Sequence, residues 1–336
     1  MSRQSGPAPV AILIVAYRSR ETVPAVIDAL AAQTVAPARV RLLENGSPAD
    51  ERVDPKDLPD WVEIIESEEN TGFARGNNLL AEGVEQDWLL LLNPDAFPQP
   101  DWLEQMMAAT RRWPEAALFG CTQDAHGAPG VLDGPGDVYH FTGLPYRAGY
   151  GRAIDPPPEG EVFGPCGAAA LIRRAVFERL GGFDEDYFCY VEDVDLAARA
   201  RLTGEICVQV REARVSHMGY GSSGRRSAFA TYHGARNRIW TFFKVTPGWL
   251  LWALAPVHLG VTALLWLSAA RFGQFTLFAK AMKDAWAGRA SLRAKRRAVQ
   301  ARRTIPVSTY AARLSWNPLH LITRAPDVRP ERRDEA

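Results

Sequence analysis

The 336-residue chain has only four cysteines, Cys121, Cys166, Cys189 and Cys207, and no two of them stand in Cys-x-x-Cys spacing. This argues against a disulfide-stapled fold or a zinc ribbon. No Gly-Lys-Ser/Thr or Gly-x-Gly-x-x-Gly occurs where a phosphate or dinucleotide loop would sit, so neither a P-loop nor a dinucleotide fingerprint is expected. The opening residues, Met-Ser-Arg-Gln-Ser-Gly-Pro-Ala-Pro, lack the apolar core of a signal peptide. Together with the sparse cysteines this predicts a reducing, cytosolic setting. Internal repeats and long low-complexity tracts are also missing.

Net charge is zero, but it is unevenly spread. Residues 1–210 hold 17 Lys and Arg against 33 Asp and Glu, and 211–336 hold 22 against 6, so the two parts carry −16 and +16. A basic segment of this kind predicts an anionic partner, either a membrane surface or a nucleic acid.

The stretch from Asp87 to Phe97 contains four successive leucines after a Trp, stopped by Asn93-Pro94-Asp95. Its length and punctuation predict a strand buried on both faces of a parallel sheet, with Asp95 just beyond its carboxyl end, where such sheets bind ligands. Val10–Ala16, Val40–Leu43 and Val62–Ile65 read as further strands. Val23, Val26, Ile27 and Leu30 recur at helical spacing. This alternation predicts an α/β, doubly wound sheet.

Asn70 to Asn78 reads as a helix entry whose Gly72 and Gly76 permit close backbone approach and whose amides and Arg75 can face an anion. Residues 122–162, rich in Gly and Pro, predict short strands and mobile, substrate-facing loops. Ala168–Ile172 reads as a strand, Ala175–Leu180 as a short helix and Val191–Leu202 as an amphipathic helix. Glu192, Asp193 and Asp195 fall at the start of that last helix, close to Asp184, Glu185 and Asp186. The helix dipole favours one or two of these carboxylates. The crowding suits a base or a metal site. Ile206–Val210 reads as a strand, with His217 beyond its end.

In this order, Ile14-Val15-Ala16-Tyr17, Leu43 to Ser47, Asn70 to Asn78, Leu92 to Asp95, Gly167 to Phe183, Tyr190 to Arg199 and His217 to Ser222 resemble the family-2 inverting glycosyltransferases, in particular their rhamnosyltransferase-like branch. The resemblance covers roughly residues 10–245. It implies a GT-A, Rossmann-like mixed sheet flanked by helices, followed by an apolar and basic helical extension that associates with a membrane.

The resemblance also implies a nucleotide-sugar pocket formed by Ala16, Tyr17, Glu44, Asn45, Ser47, Phe73, Arg75, Asn77, Asn78 and Asn93. Tyr17 would pack on the base and Glu44, where most members carry Asp, would accept a hydrogen bond from it. Asn93-Pro94-Asp95 takes the place of the family's Asp-x-Asp, with Asn93 replacing its first Asp. Asp95 and His217 are then the ligands of a divalent metal, Mg²⁺ or Mn²⁺. Asp193 is the implied catalytic base, with Glu192 as its alternative, and the helix dipole is expected to keep either ionised. Gly167, Tyr190 and Arg236 fall on the acceptor side. The implied donor is a dTDP-, UDP- or GDP-linked sugar, such as rhamnose or another deoxyhexose, and the implied acceptor a lipid-linked glycan or polysaccharide.

Trp249 to Ala270 is an apolar 22-mer, about 33 Å long if helical, interrupted by Pro256, His258 and Gly260. Cations flank both sides, which disfavours a single span and favours a helix or hairpin lying in the cytoplasmic leaflet. The basic residues neighbour an apolar helix rather than a groove-reading motif, so no nucleic-acid partner is expected. The expected organisation is a flexible segment 1–9, a GT-A domain 10–245, a helical membrane-associated region 246–303 and a tail 304–336, disordered from Arg324. A nucleotidyltransferase is disfavoured by the missing Lys-containing triphosphate loop. A non-catalytic scaffold is disfavoured by the presence of Asp95, Asp193 and His217 together.

Overall fold

The computed structural model describes residues 6–219 and 227–329. Strands β1 (Ala8–Ala16), β2 (Pro37–Asn45), β3 (Val62–Ser67) and β4 (Trp88–Leu92) are parallel neighbours in the spatial order β4-β1-β2-β3. All five residues of β4 are buried, as its unbroken apolar run predicts. The sheet continues through β5 (Ala96–Pro98), β6 (Ala116–Ala125), β7 (Leu132–Gly134), β8 (Asp137–Tyr139), β9 (Pro145–Arg147), β10 (Gly160–Glu161), β11 (Ala169–Arg173) and β12 (Ile206–His217), of which β8 and β9 form a separate ribbon. β11 runs antiparallel between β4 and β6, and this makes the sheet mixed.

The short strands expected within 122–162 are therefore present. His217 is a correction: it is the last residue of β12, not a residue beyond a strand. A register shift between Val210 and Arg214 interrupts the apolar run, and pairing with β5 on one side and β6 on the other then carries the strand onward to His217.

Helices α1 (Val23–Ala31), α2 (Gly72–Ala81), α3 (Trp102–Arg112), α4 (Arg174–Leu180) and α5 (Glu192–Leu202) cover the sheet. α1 and α3 share one core with β1, β4 and β12, while α2, α4 and α5 share the second. Asn70 to Asn78 is thus mostly helix rather than helix entry. Gly76 is required there because a Cβ would meet Val15 at 2.9 Å.

α6 (Ala228–Val245), α7 (Gly248–Ala269), α8 (Phe275–Ala287), α9 (Arg289–Ala301), α10 (Val307–Ala311) and α11 (His320–Thr323) pack back on this core. A third apolar cluster joins α5 to α6, α7 and α10 through Val194, Phe242, Leu250, Leu254 and Tyr310. The expectation of disorder from Arg324 is overturned as far as Arg329. The Gly149 amide donates to the Arg324 carbonyl, and Arg329 pairs with Glu161, the last residue of the edge strand β10. Residues 330–336 lie outside the described residues, as do Tyr220 to Ser222 of the last matching motif and Met1 to Ser5 of the N-terminal segment.

Candidate active site

Parallel strands deliver their following residues to one edge of the sheet. At that edge lies a cleft of about 730 Å³, lined among others by Tyr17, Asn45, Phe73, Asn93, Asp95, Tyr190 and His217. Asn45 organises one wall: its Oδ1 accepts from the amide of Thr71 at 2.9 Å and its hydroxyl at 2.8 Å, and its Nδ2 donates to Asn70 Oδ1 at 3.1 Å.

His217 is buried, and its two ring nitrogens face different partners. Nδ1 lies 2.6 Å from Asp133 Oδ2, while Nε2 lies 3.3 Å from Asp95 Oδ1 and 3.3 Å from Asn93 Nδ2. Burial alone would lower the imidazole pKa, but the Asp133 and Asp95 carboxylates outweigh it and raise it. Burial would likewise push Asp133 up, yet the bond from His217 and the Arg147 guanidinium, 2.5 Å away, hold it below the usual carboxylate range. A carboxylate that fixes one ring nitrogen and leaves the other beside an acid is the arrangement of a histidine that binds a divalent cation. Asp95 and His217 therefore fit the role of ligands.

Asp193 is half-buried at the first turn of α5. Its Oδ2 accepts the Gly167 amide at 2.9 Å and its Oδ1 the Val194 amide at 2.8 Å. The next residue, Ala168, accepts the Asn93 amide at 2.8 Å. One dipeptide thus ties Asp193 to the Asn93-Pro94-Asp95 turn, so both carboxylates belong to the same rim of the sheet. A Cβ on Gly167 would stand 3.2 Å from Asp193, which explains the glycine.

Glu192 departs from the expected ionised state. Burial, reinforced by the neighbouring Asp193 charge, pushes its carboxyl well up, and Oε2 has no hydrogen-bond partner among the described residues. Here desolvation defeats the dipole. Because Glu192 keeps its proton to higher pH when folded than when unfolded, folding takes up a proton and stability falls as pH rises above the ordinary glutamate range. Glu192→Gln removes that dependence. Melting curves from pH 4 upward are expected to show the variant increasingly more stable than wild type as pH rises, with the difference vanishing at the acid end.

Several other predicted residues hold the walls rather than line the cleft. Ala16 is buried at the end of β1. Glu44 is fully buried, with its two oxygens taken by the amides of Ser47 at 3.0 Å and Val53 at 2.9 Å. The carboxylate thus shapes the β2 loop instead of standing open to a base. Ser47 Oγ accepts the Arg18 amide. Asn77 bonds within α2, and Asn78 clamps α2 to both backbone groups of Phe183. Arg75 is exposed. Arg236 donates to the carbonyls of Asp186 and Tyr187, beneath Tyr190.

The acidic crowd is largely neutralised from afar. Lys244 reaches Asp184 at 2.6 Å and Asp195 at 2.8 Å, Arg199 reaches Asp195, and Lys295 pairs with Asp184 and Asp186. Asp193 makes no ion pair among the described residues. Residues that sequence reasoning missed are Arg18, Phe229 and Arg147 in the cleft lining, and, behind it, Asp133, which Arg147 holds, and Asp137 beside Asp193. The Gly- and Pro-rich segment flagged the region of the last three but not the residues.

A mixed sheet of this order, with flanking helices, one acid just after its fourth strand and another at the start of α5, is a GT-A fold. Its likeness extends to a Pyrobaculum calidifontis mannosyltransferase solved with GDP-Man and Mn²⁺ (TM-score 0.52, 16% identity, 93% of this chain and 90% of that one). It extends also to GalNAc-T7 solved with UDP, GalNAc and Mn²⁺ (TM-score 0.53, 12% identity, 72% and 48%).

The chain belongs to glycosyl transferase family 2, whose description matches residues 11–181. It is 34% identical over 161 residues to N-acetylglucosaminyl-diphospho-decaprenol L-rhamnosyltransferase of Mycobacterium tuberculosis, covering 44% of this chain and 52% of that protein. It is 28% identical over 240 residues to O-antigen biosynthesis protein RfbC of Myxococcus xanthus, covering 65% and 18%. The match thus spans about half the length of the mycobacterial relative.

Proposed function

We propose that the protein is an inverting, metal-dependent glycosyltransferase that moves a single sugar, in the first instance rhamnose or another deoxyhexose, from a nucleotide sugar to a lipid-linked or polysaccharide acceptor of the cell surface. The observation that carries this reading is the Gly167–Ala168 link, which sets an unpaired Asp193 on the same rim as Asp95 and His217. Asp193 takes the proton of the acceptor hydroxyl as the oxygen attacks the anomeric carbon. Asp95 and His217 would hold a divalent cation such as Mn²⁺ or Mg²⁺, which supplies positive charge to the departing nucleoside diphosphate. Tyr17, Asn45 and Phe73 form the wall on which the nucleotide rests.

A panel of dTDP-, UDP- and GDP-linked sugars with Mn²⁺ or Mg²⁺, assayed for released nucleoside diphosphate, tests the reading. Asp95→Ala is expected to lose metal-dependent donor binding by tenfold or more, a fall measurable by titration calorimetry and equivalent to about 1.4 kcal/mol. Donor binding that is equally tight with and without metal, in wild type and variant alike, would remove the cation from the scheme.

The lipid-linked acceptor is supported by α7, which belongs to a segment, Gly248–Phe272, long and apolar enough to cross a membrane by length and composition alone. One face is docked along its length: Leu250, Leu251 and Leu254 are buried, His258 Nδ1 meets the Thr142 carbonyl at 2.9 Å, and Thr262 Oγ1 accepts from Arg238. The opposite face exposes Trp249 (61%), Trp252 (78%), Leu264 (66%) and Leu267 (58%). A helix bound sideways to a folded domain is suited to lie in one leaflet, on the cytoplasmic side, rather than to span it. Exposed Lys280, Lys283, Arg289, Arg293 and Arg297 supply the charge for an anionic surface. Lys295 and Arg296 are turned inward onto Asp184 and the Phe243 and Thr246 carbonyls, so only part of the basic cluster is available to lipid. Trp252→Glu with Leu264→Glu is expected to abolish co-flotation with vesicles containing anionic lipid without lowering the melting temperature. Undiminished flotation would refute the in-plane helix.

A further inference from the structure

Beneath Asp193 lies a second acid to which the scheme above gives no part. Asp137, in β8, is buried, and its amide is tied to the Gly164 carbonyl at 2.8 Å. One of its carboxyl oxygens, one of Asp193 and the Cys166 sulfur all lie within 4.8 Å of one another, close enough for the two carboxyl groups to act on each other. Such a trio invites a metal, but its chemistry is wrong for one. Burial pushes the Cys166 thiol far up, away from the thiolate that ligation needs, and burial together with the Asp193 charge pushes Asp137 well up.

We propose that Asp137 is a positioning residue for Asp193, donating a carboxyl hydrogen bond that aims the Asp193 carboxylate; the proposal rests on the reading of Asp193 as the base. Two carboxyl groups this close, one buried and the other half-buried, cannot both carry charge cheaply, so they share one proton. The surroundings decide which group holds it. Asp193 accepts two backbone amides, which favour its anion, whereas Asp137 is buried beside Asp193, Glu192 and Cys166, whose effect the Arg147 charge only partly opposes. The proton therefore stays on Asp137, and the proton of the incoming hydroxyl goes to Asp193.

The experiment is the pH profile of nucleoside diphosphate release, with the nucleotide sugar that turns over in the panel, for wild type, Asp137→Asn, Asp137→Ala and Asp193→Asn. Asn keeps an N–H donor toward Asp193, and its acidic limb is expected to coincide with that of wild type. Ala removes the donor, and its acidic limb is expected to move up by about one to two pH units, as loss of a hydrogen bond to a charged group implies. A purely structural role would lower stability without moving that limb. If the Ala variant does not fold, Asp137→Leu, which fills the space without a donor, takes its place. Superimposable limbs for wild type and the donor-less variant would overturn the proposal, as would an Asp137→Asn variant as inactive as Asp193→Asn. Full turnover by Asp193→Asn would instead overturn the assignment of the base.

Discussion

Asp193→Asn is expected to lower turnover by about 10²–10⁴-fold, the range a positioned general base contributes, while donor binding stays within about twofold of wild type. The separation follows from where the side chain sits. Its oxygens accept the amides of Gly167 and Val194, and among the described residues no hydrogen bond or ion pair joins them to a residue proposed for the cation or the nucleotide wall. An amide side chain can satisfy only one of those two donors, so a modest loss of stability, about 1 kcal/mol, should accompany the lost activity. Single-turnover measurements with saturating nucleotide sugar separate the two effects. A variant that binds donor normally and still releases nucleoside diphosphate at the wild-type rate would show that another group takes the proton. Glu192→Gln is the matching control: its carboxyl is buried and burial pushes its pKa well up, which suits it poorly to act as the base, so turnover should persist in the variant.

The parts of this molecule that could be read from the chain are those whose cause is local. The buried β4 announces itself in four leucines, and the Asn93-Pro94-Asp95 turn follows at once, so the rim and the acid that stands on it were both legible. The α5 carboxylates were legible as a cluster but not as individuals. Which of them is free depends on Lys244, which lies 60 residues from Asp184, and on Lys295, which lies 111 residues away. Those same contacts explain why part of the basic segment does not face lipid. Three sequence-distant carbonyls, of Tyr187, Cys189 and Tyr190, all accept from Asn237 Nδ2 at 2.8–2.9 Å. They hold a turn in which Phe188, Tyr190 and Val191 have φ of 63°, 71° and 71°. Nothing in the residues 187–191 themselves predicts that left-handed run, because non-glycine residues adopt it only when the surroundings impose it. Glu44 illustrates the converse: its position at the end of the second strand was clear, but its two amide partners arise from how the following loop closes.

The largest stability effect is expected at Lys244, whose ammonium is 1% exposed between Asp184 and Asp195 and packs over the Tyr187 ring with 4.5 Å to its centroid. Removing one partner from a buried ion network strands the others, at a cost of about 3–5 kcal/mol. Lys244→Met, which keeps the apolar stem, should approach that figure in urea denaturation, because among the described residues Asp195 would retain Arg199 as its one ion-pair partner and Asp184 would retain Lys295. Burial opposes the ionised form of Asp184, but the two lysines win and hold its carboxyl down to about 2. Its contribution to stability is therefore complete above the unfolded value near 3.8 and is lost as pH falls toward 2. In Lys244→Met that loss begins at higher pH, so the acid unfolding midpoint moves up. The decisive comparison is the double variant Lys244→Met with Asp195→Asn. If charge stranding is the cause, deleting the second charge restores part of the stability, and the two substitutions are less damaging together than their separate effects would predict. Strict additivity would instead trace the loss to packing against Tyr187. Tyr187 also bears on the cleft, since its carbonyl is one of those gripped by Asn237 and its hydroxyl lies 2.9 Å from Thr241. Loosening Lys244 should therefore reach the Tyr190 wall, and raise the KM for acceptor more than it lowers kcat in variants stable enough to assay.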